Sequence, residues 1–212
     1  MNRVDFDFYL ITDRKQTLGR PLKEVLNSAL AGGIQAIQLR EKDLPVRELL
    51  ALAFEIRELT FQKKALLFIN DRMDVCLSVG ADGVHLRSDS LSPSVARRIL
   101  GPERLIGVSC HSLEEALFSE EKGADFITLG PLYFTPSKQK MGEPLGLALF
   151  KSIVEKVKIP VFALGGITVN RVEEILHAGA SGVACVSAVL NAPRVREAAQ
   201  EFLAQIRRMN GK

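Results

Sequence analysis

The chain has 212 residues, of which 28 are Lys or Arg and 25 Asp or Glu, leaving a net charge of +3; 47% are hydrophobic and 25% charged. That length suits one domain with a substantial core, and the composition excludes disorder as the main state. The charge is too mild and too evenly spread for a nucleic-acid-binding face, and with no tryptophan and two tyrosines there is no aromatic platform for single strands.

Three cysteines, Cys76, Cys110 and Cys185, lie far apart in apolar runs. They form neither a CxxC pair nor a Cys/His cluster, so they read as reduced, buried thiols of a cytoplasmic protein. Met1–Asp7 carries two aspartates and no apolar run, unlike a signal peptide. The longest stretch without Lys, Arg, Asp or Glu, Ile175–Pro193, is broken by His177, Gly179, Ser181 and Asn191, so no membrane helix is expected.

Taken in chain order, short apolar runs that suit strands covered on both faces begin near Phe8, Ala36, Leu66, Gly83, Leu105, Phe126, Val161 and Gly182. Between them, apolar residues spaced three and four apart predict helices over Leu22–Ala31, Val46–Gln62, Val95–Leu100, Leu113–Glu121, Leu147–Val157, Val172–Ala178 and Val195–Arg208, with a short one at Met73–Val79. Ser92-Pro93 supplies a cap residue and a first-turn proline. Ser112–Glu115 and Asn170–Glu173 have the spacing of capping boxes. Four segments share one grammar: Gly32-Gly33-Ile34-Gln35, Gly80-Ala81-Asp82-Gly83, Gly123-Ala124-Asp125-Phe126 and Gly179-Ala180-Ser181-Gly182. Each reads as a glycine-stopped helix leading into a buried strand. They recur at roughly 45 to 55 residues, about twice one β-α unit.

Eight β-α units in one α/β domain spanning 1–212 argue for a (β/α)8 TIM barrel, with a doubly wound open sheet as the alternative. The long connection Leu132–Gly146, after the sixth strand, is rich in Pro, Lys, Ser and Gly, as functional lids often are. In such a barrel chemistry gathers at the C-terminal strand ends. Those ends carry Gln38-Leu39-Arg40-Glu41-Lys42, Asn70-Asp71-Arg72, His85-Leu86-Arg87-Ser88-Asp89-Ser90, Ser109-Cys110-His111, Thr135-Pro136-Ser137-Lys138, Gly165-Gly166 and Val186-Ser187. Gly165-Gly166 reads either as a tight strand–helix turn or, with Ser187, as a phosphate site. Arg40, Lys42 and Lys138 with Asp71 and Asp89 suit a diphosphate bound with Mg²⁺. His111 is either a loop histidine beside a cap or an acid–base group.

Taken together, Tyr9-Leu10-Ile11-Thr12-Asp13, the Gln38–Lys42 and Asn70–Arg72 segments, Asp82-Gly83-Val84-His85, Gly107-Val108-Ser109, Thr135–Lys138, Gly165–Thr168 and Val186-Ser187-Ala188 resemble the thiamine phosphate synthase and thiazole tautomerase superfamily. The resemblance runs in order over almost the whole chain and implies a (β/α)8 barrel. It also implies a transferase that joins a pyrimidine methyl diphosphate to a thiazole phosphate. By the same resemblance, Gln38, Arg40, Lys42, Asn70 and Lys138 would hold the pyrimidine diphosphate and Asp71 would ligate Mg²⁺. Thr135, Gly166, Val186 and Ser187 would hold the thiazole phosphate, Ser137 would be a further substrate-binding residue, and Ser109 would lie beside the pyrimidine. Where synthases usually carry a second metal-binding aspartate, this chain has Ser90, with Asp89 one place earlier. That segment, and His111, are closer to the tautomerase branch, in which the histidine shifts a proton. A non-catalytic, phosphate-binding regulatory barrel is the reading from another class. The partners expected are phosphorylated small molecules, with neither nucleic acid nor membrane and with a homodimer left open.

Overall fold

The computed structural model describes residues 4–135, 143–209 and 211. Eight parallel strands close on themselves in sequence order. They are β1 (Phe8–Ile11), β2 (Ala36–Leu39), β3 (Leu66–Asn70), β4 (Gly83–Leu86), β5 (Leu105–Cys110), β6 (Phe126–Leu129), β7 (Val161–Leu164) and β8 (Gly182–Cys185). The helices outside are α1 (Leu22–Ala31), α2 (Val46–Gln62), α3 (Met73–Val79), α4 (Pro93–Leu100), α5 (Leu113–Glu121), α6 (Gly146–Val154), α7 (Val172–His177), α8 (Ser187–Leu190) and α9 (Val195–Met209). Pairing of β1 with β8, Phe8 against Val183 through Leu10 against Cys185, closes the ring. A doubly wound sheet has two free edges, so that alternative is gone. Among the described residues no helix is long and apolar enough to cross a membrane.

Two apolar layers follow from the strand alternation. Phe8, Leu10, Ile37, Leu39, Leu67 and Ile69 face outward and pack under the helices. Tyr9, Ala36, Phe68, Leu105, Phe126 and Phe162 face inward, with Phe6 rising from below. Phe6 stacks on Phe162 with 5.0 Å between centroids and meets Phe126 edge-on at 5.5 Å. Tyr9 lies 5.3 Å from Phe68 and 5.5 Å from Phe126, both edge-on. Fully burying one such ring contributes about 1.5–3 kcal/mol. The rings fit because neighbouring strands offer glycine at the same level. A Cβ on Gly83 would lie 2.7 Å from the Phe68 ring, and one on Gly182 would lie 2.7 Å from the Phe162 ring.

The repeated segments also acquire a physical role. Their glycines, Gly33, Gly80, Gly123 and Gly179, all take positive φ. Two residues on, Asp82 accepts the Leu67 N–H at 2.7 Å and Asp125 accepts the Ile106 N–H at 2.7 Å. Each carboxylate thus satisfies a strand-start donor of its neighbour and pairs with a helix arginine, Arg57 at 2.7 Å and Arg97 at 2.6 Å. Ser181 does the same for Val161 N–H at 3.3 Å, without the charge.

Three local expectations shift. Asn170 does not cap α7, because the chain tightens into a 3-10 turn over Val169–Arg171 and takes Asn170 inside it. Ser112 does accept the Glu115 N–H at 3.2 Å, but Glu115 reaches past the cap residue to the His111 N–H at 2.6 Å. Helix α6 ends at Val154, since Lys156 and Val157 bond back three residues to Ile153 and Val154 in a tighter turn.

The packing generates a stability prediction. A Cβ on Gly107 would meet the Phe126 ring at 2.4 Å and His85 Nδ1 at 2.6 Å. Gly107→Ala is expected to cost about 1–3 kcal/mol by overpacking. Urea unfolding reads this as a lower midpoint at unchanged slope; an unchanged midpoint would mean the interior is not close-packed at that level.

Candidate active site

Above the aromatic layer the strand ends open into a cavity of about 1340 Å³. Its floor is polar. Gln38, His85 and Thr128 are buried there, and Ser109 is half-buried. Burial pushes the His85 imidazole down to about 3, with the nearby Arg40 charge acting in the same direction, so the ring is neutral. Burial likewise holds the Tyr9 phenol protonated.

One wall is built by β1 and β2 acting together. Thr12 N–H donates to the Gln38 carbonyl at 2.9 Å, and the Thr12 hydroxyl accepts Arg40 N–H at 2.9 Å. That hydroxyl in turn donates to the buried Glu41 at 2.6 Å. Glu41 is further held by Arg14, at 3.1 Å from its guanidinium. With Glu41 committed to Thr12 and Arg14, Arg40 and Lys42 have no ion-pair partner among the described residues. Desolvation lowers the pKa of both. Mutual repulsion adds to this: Arg40 and Arg87 both act against the Lys42 ammonium, only partly offset by Asp89 and Asp71. Cations held at this cost are placed so that an anion would be attracted to them.

Asp71 ends β3 with φ 63, a left-handed conformation that a non-glycine residue rarely adopts. Its N–H donates to the His85 carbonyl at 2.9 Å, and its Oδ1 is buried without a hydrogen-bond partner among the described residues. A buried carboxylate oxygen without a donor suits a cation. Asp89 is placed differently. It accepts two bonds from Arg87, one of them at 2.8 Å, and its side chain is 65% exposed. No cluster of three His, Cys, Asp or Glu side chains occurs among the described residues.

The other wall comes from β7 and β8. Gly165 and Gly166 have φ 101 and 68. A Cβ on Gly166 would lie 2.8 Å from Tyr133 Cβ and 3.0 Å from the Phe134 carbonyl, so this glycine also admits the segment after β6. Arg171 fastens the two loops: it donates to the Gly166 carbonyl at 2.5 Å and lies 4.0 Å over the Tyr133 ring, whose hydroxyl bonds Glu174. Val186 and Ser187 lead into α8, whose first N–H groups have no intrahelical acceptor. His111 reaches the cavity with Nδ1 bonded to the Gly130 carbonyl, and its Nε2 makes no hydrogen bond among the described residues.

The signature of the thiamine monophosphate synthase family matches residues 8–189. The chain belongs to that family. The thiamine-phosphate synthase of Moorella thermoacetica is 43% identical over 98% of this chain and 99% of its own length. A Geobacter sulfurreducens protein named only provisionally as a thiamine-phosphate synthase is 52% identical over 96% of both chains. The solved thiamine phosphate pyrophosphorylase of Pyrococcus furiosus has a TM-score of 0.87 and 41% identity, covering 96% of both chains.

Within this family member the cavity brings together Gln38, Arg40, Lys42, Asn70, Asp89, Ser109, His111, Thr135, Gly166, Val186 and Ser187. Asp71 stands at the adjoining strand end, outside the lining. Ser137 and Lys138 lie outside the described residues. The sequence left Asp13, Gln16, Phe134 and Arg171 unassigned, although all four line the cavity. For Arg171 a signal existed: a cation follows the Gly165-Gly166 turn closely enough to fold back on it.

An anion site made of desolvated cations predicts its own binding behaviour. Lys42→Met is expected to weaken inorganic pyrophosphate by about tenfold or more, the scale of one charged hydrogen bond. In the parent, affinity should begin to fall below the pH at which an ordinary lysine, pKa 10.5, loses its proton. Calorimetry over a pH series checks both; equal affinity in parent and variant would place the anion elsewhere.

Proposed function

We propose that this protein is a thiamine-phosphate synthase. It couples hydroxymethylpyrimidine diphosphate with thiazole phosphate to give thiamine phosphate and pyrophosphate. The single observation that carries the reading is one cavity with Arg40 and Lys42, which make no ion pair among the described residues, on one wall and the Gly165-Gly166 and Val186-Ser187 backbone on the other. Two anionic groups can thus be held apart over a shared polar floor.

The chemistry needs little more. The bond from the pyrimidine methylene carbon to the diphosphate oxygen breaks, and its electron pair leaves with oxygen. The electron-rich aminopyrimidine carries the charge at carbon until the thiazole nitrogen attacks it. Carbon loses oxygen and gains nitrogen, with no proton transferred. Stabilisation therefore belongs around the leaving group, where preorganised charge counts most, and Arg40 and Lys42 supply it. Gln38, Asn70 and Ser109 orient the pyrimidine end. Thr135, Gly166, Val186 and Ser187 receive the thiazole phosphate, and Lys138 completes the diphosphate clamp as the family resemblance implies.

Mg²⁺ belongs to this proposal. The buried, unpartnered Oδ1 of Asp71 is the donor on this chain that fits it, with Asp89 as a partner through water. When bound, the ion neutralises diphosphate charge. The three free, buried thiols accord with a cytoplasmic location.

A thiazole tautomerase is retained as the second reading on one observation: His111 reaches the same cavity with Nε2 available as a base.

Incubation with both synthase substrates and Mg²⁺ tests the function; thiamine phosphate is the expected product, and its absence refutes the synthase. Asp71→Asn should raise the Mg²⁺ concentration for half-maximal rate several-fold, and coincident titration curves would remove Asp71 from the metal. His111→Gln should leave coupling within about threefold of the parent. A tautomerase would instead lose thiazole aromatisation by about a hundredfold or more in that variant.

A further inference from the structure

Beneath the cavity a chain of hydrogen bonds runs across the barrel. Gln38 Nε2 lies 3.3 Å from Tyr9 Oη, which lies 3.3 Å from His85 Nδ1. On the far side of the imidazole, Nε2 lies 3.1 Å from Ser109 Oγ and 3.4 Å from Thr128 Oγ1. Thr128 also donates to Ser109 Oγ at 3.5 Å.

Proton counting gives the chain a direction. The Gln38 amide N–H donates to Tyr9, so the single phenol proton must go onward to His85 Nδ1. Nδ1 is then the acceptor nitrogen of a neutral ring, and Nε2 carries the hydrogen. That N–H donates to Ser109 Oγ. With its oxygen already accepting from His85 and Thr128, the Ser109 hydroxyl proton turns toward the cavity. At the other end the side-chain amide oxygen of Gln38, Oε1, makes no hydrogen bond among the described residues, and Gln38 lines the same cavity. The floor therefore presents an acceptor at Gln38 and a donor at Ser109.

We propose that His85 is a positioning residue that, as its Nε2–H tautomer, fixes Ser109 as a hydrogen-bond donor and so sets the barrel floor for an aminopyrimidine edge, an exocyclic amine beside an unprotonated ring nitrogen. The inference rests on the synthase reading for the identity of that ligand. A pyrimidinone, with a carbonyl beside a ring N–H, meets acceptor against acceptor and donor against donor. Discrimination of this kind reaches about a hundredfold or more, because buried polar groups are left unpaired. Tyr9 and His85 touch no substrate in this arrangement. Their part is to exclude the opposite proton order, in which Ser109 would donate downward to His85 and face the cavity as an acceptor.

Two measurements test this separately. Nitrogen-15 NMR of the full chain without ligand, with His85 assigned by its loss in His85→Gln, should show hydrogen on Nε2 and none on Nδ1 at neutral pH. Hydrogen on Nδ1 overturns the proposal, whatever the enzyme's substrate. The second measurement compares KM for the pyrimidine diphosphate with KM for an analogue in which that ring nitrogen is C–H. The parent should bind the analogue about tenfold or more less well, the loss of one directed hydrogen bond. His85→Leu should treat the two alike while the KM for thiazole phosphate stays put. His85→Gln, whose amide nitrogen can stand where Nε2 does, should restore the preference. A His85→Leu enzyme that discriminates like the parent overturns the proposal. If the parent couples neither compound, it is the synthase reading that fails, and the NMR result alone decides the tautomer.

Discussion

Filling a closed eight-stranded barrel is the constraint on which the rest of this structure depends. The interior is narrow, and Tyr9, Phe68, Phe126 and Phe162 fill it from four strands, with Phe6 as the plug below. Rings that large fit only where the adjoining strands carry no side chain, which is the use of Gly83, Gly107 and Gly182. The aromatic layer makes the floor solid. A rigid floor lets a polar layer and a cavity be held above it at fixed height.

The layer just above converts that rigidity into chemistry. Its polar groups are buried, so each must find a partner or face a ligand. Gln38, Tyr9, His85 and Ser109 meet the first demand among themselves. The phenol of Tyr9 belongs to both worlds, its ring in the aromatic packing and its hydroxyl in the hydrogen-bond chain. One side chain thus couples core packing to the proton order at the floor.

Charge is handled by the opposite rule. At the foot of the barrel, Asp82 and Asp125 are paired with arginines and backbone donors. At the open end, Glu41 is drawn away by Thr12 and Arg14, and Arg40 and Lys42 make no ion pair among the described residues. The paired charges belong to the scaffold; those without an ion pair among the described residues are the ones the proposed function assigns to an anion. Arg171 joins the loops after β6 and β7 by carbonyl and ring contacts instead of a carboxylate, which ties the Gly165-Gly166 turn to the segment after β6.

The sequence by itself determined the alternation of eight strands and their helices, because apolar periodicity and glycine stops are local properties of the chain. It also determined which residues stand at strand ends, and the Gln38–Lys42 and Gly165–Thr168 segments were legible there before any fold was known. Closure was an expectation from the count of eight units, and the pairing of Phe8–Leu10 with Val183–Cys185, segments at opposite ends of the chain, is what separates the barrel from an open sheet. Tertiary structure alone decided the partners of the charges. Glu41 sits between Arg40 and Lys42 in sequence, yet it is turned toward Arg14, while Asp89 is held by Arg87. It also decided that His85, a strand residue like its neighbours, is neutral and linked to Tyr9 and Ser109, since burial and proton order depend on groups brought together from five strands. Periodicity records which face of a strand is buried, but not what waits on the other side.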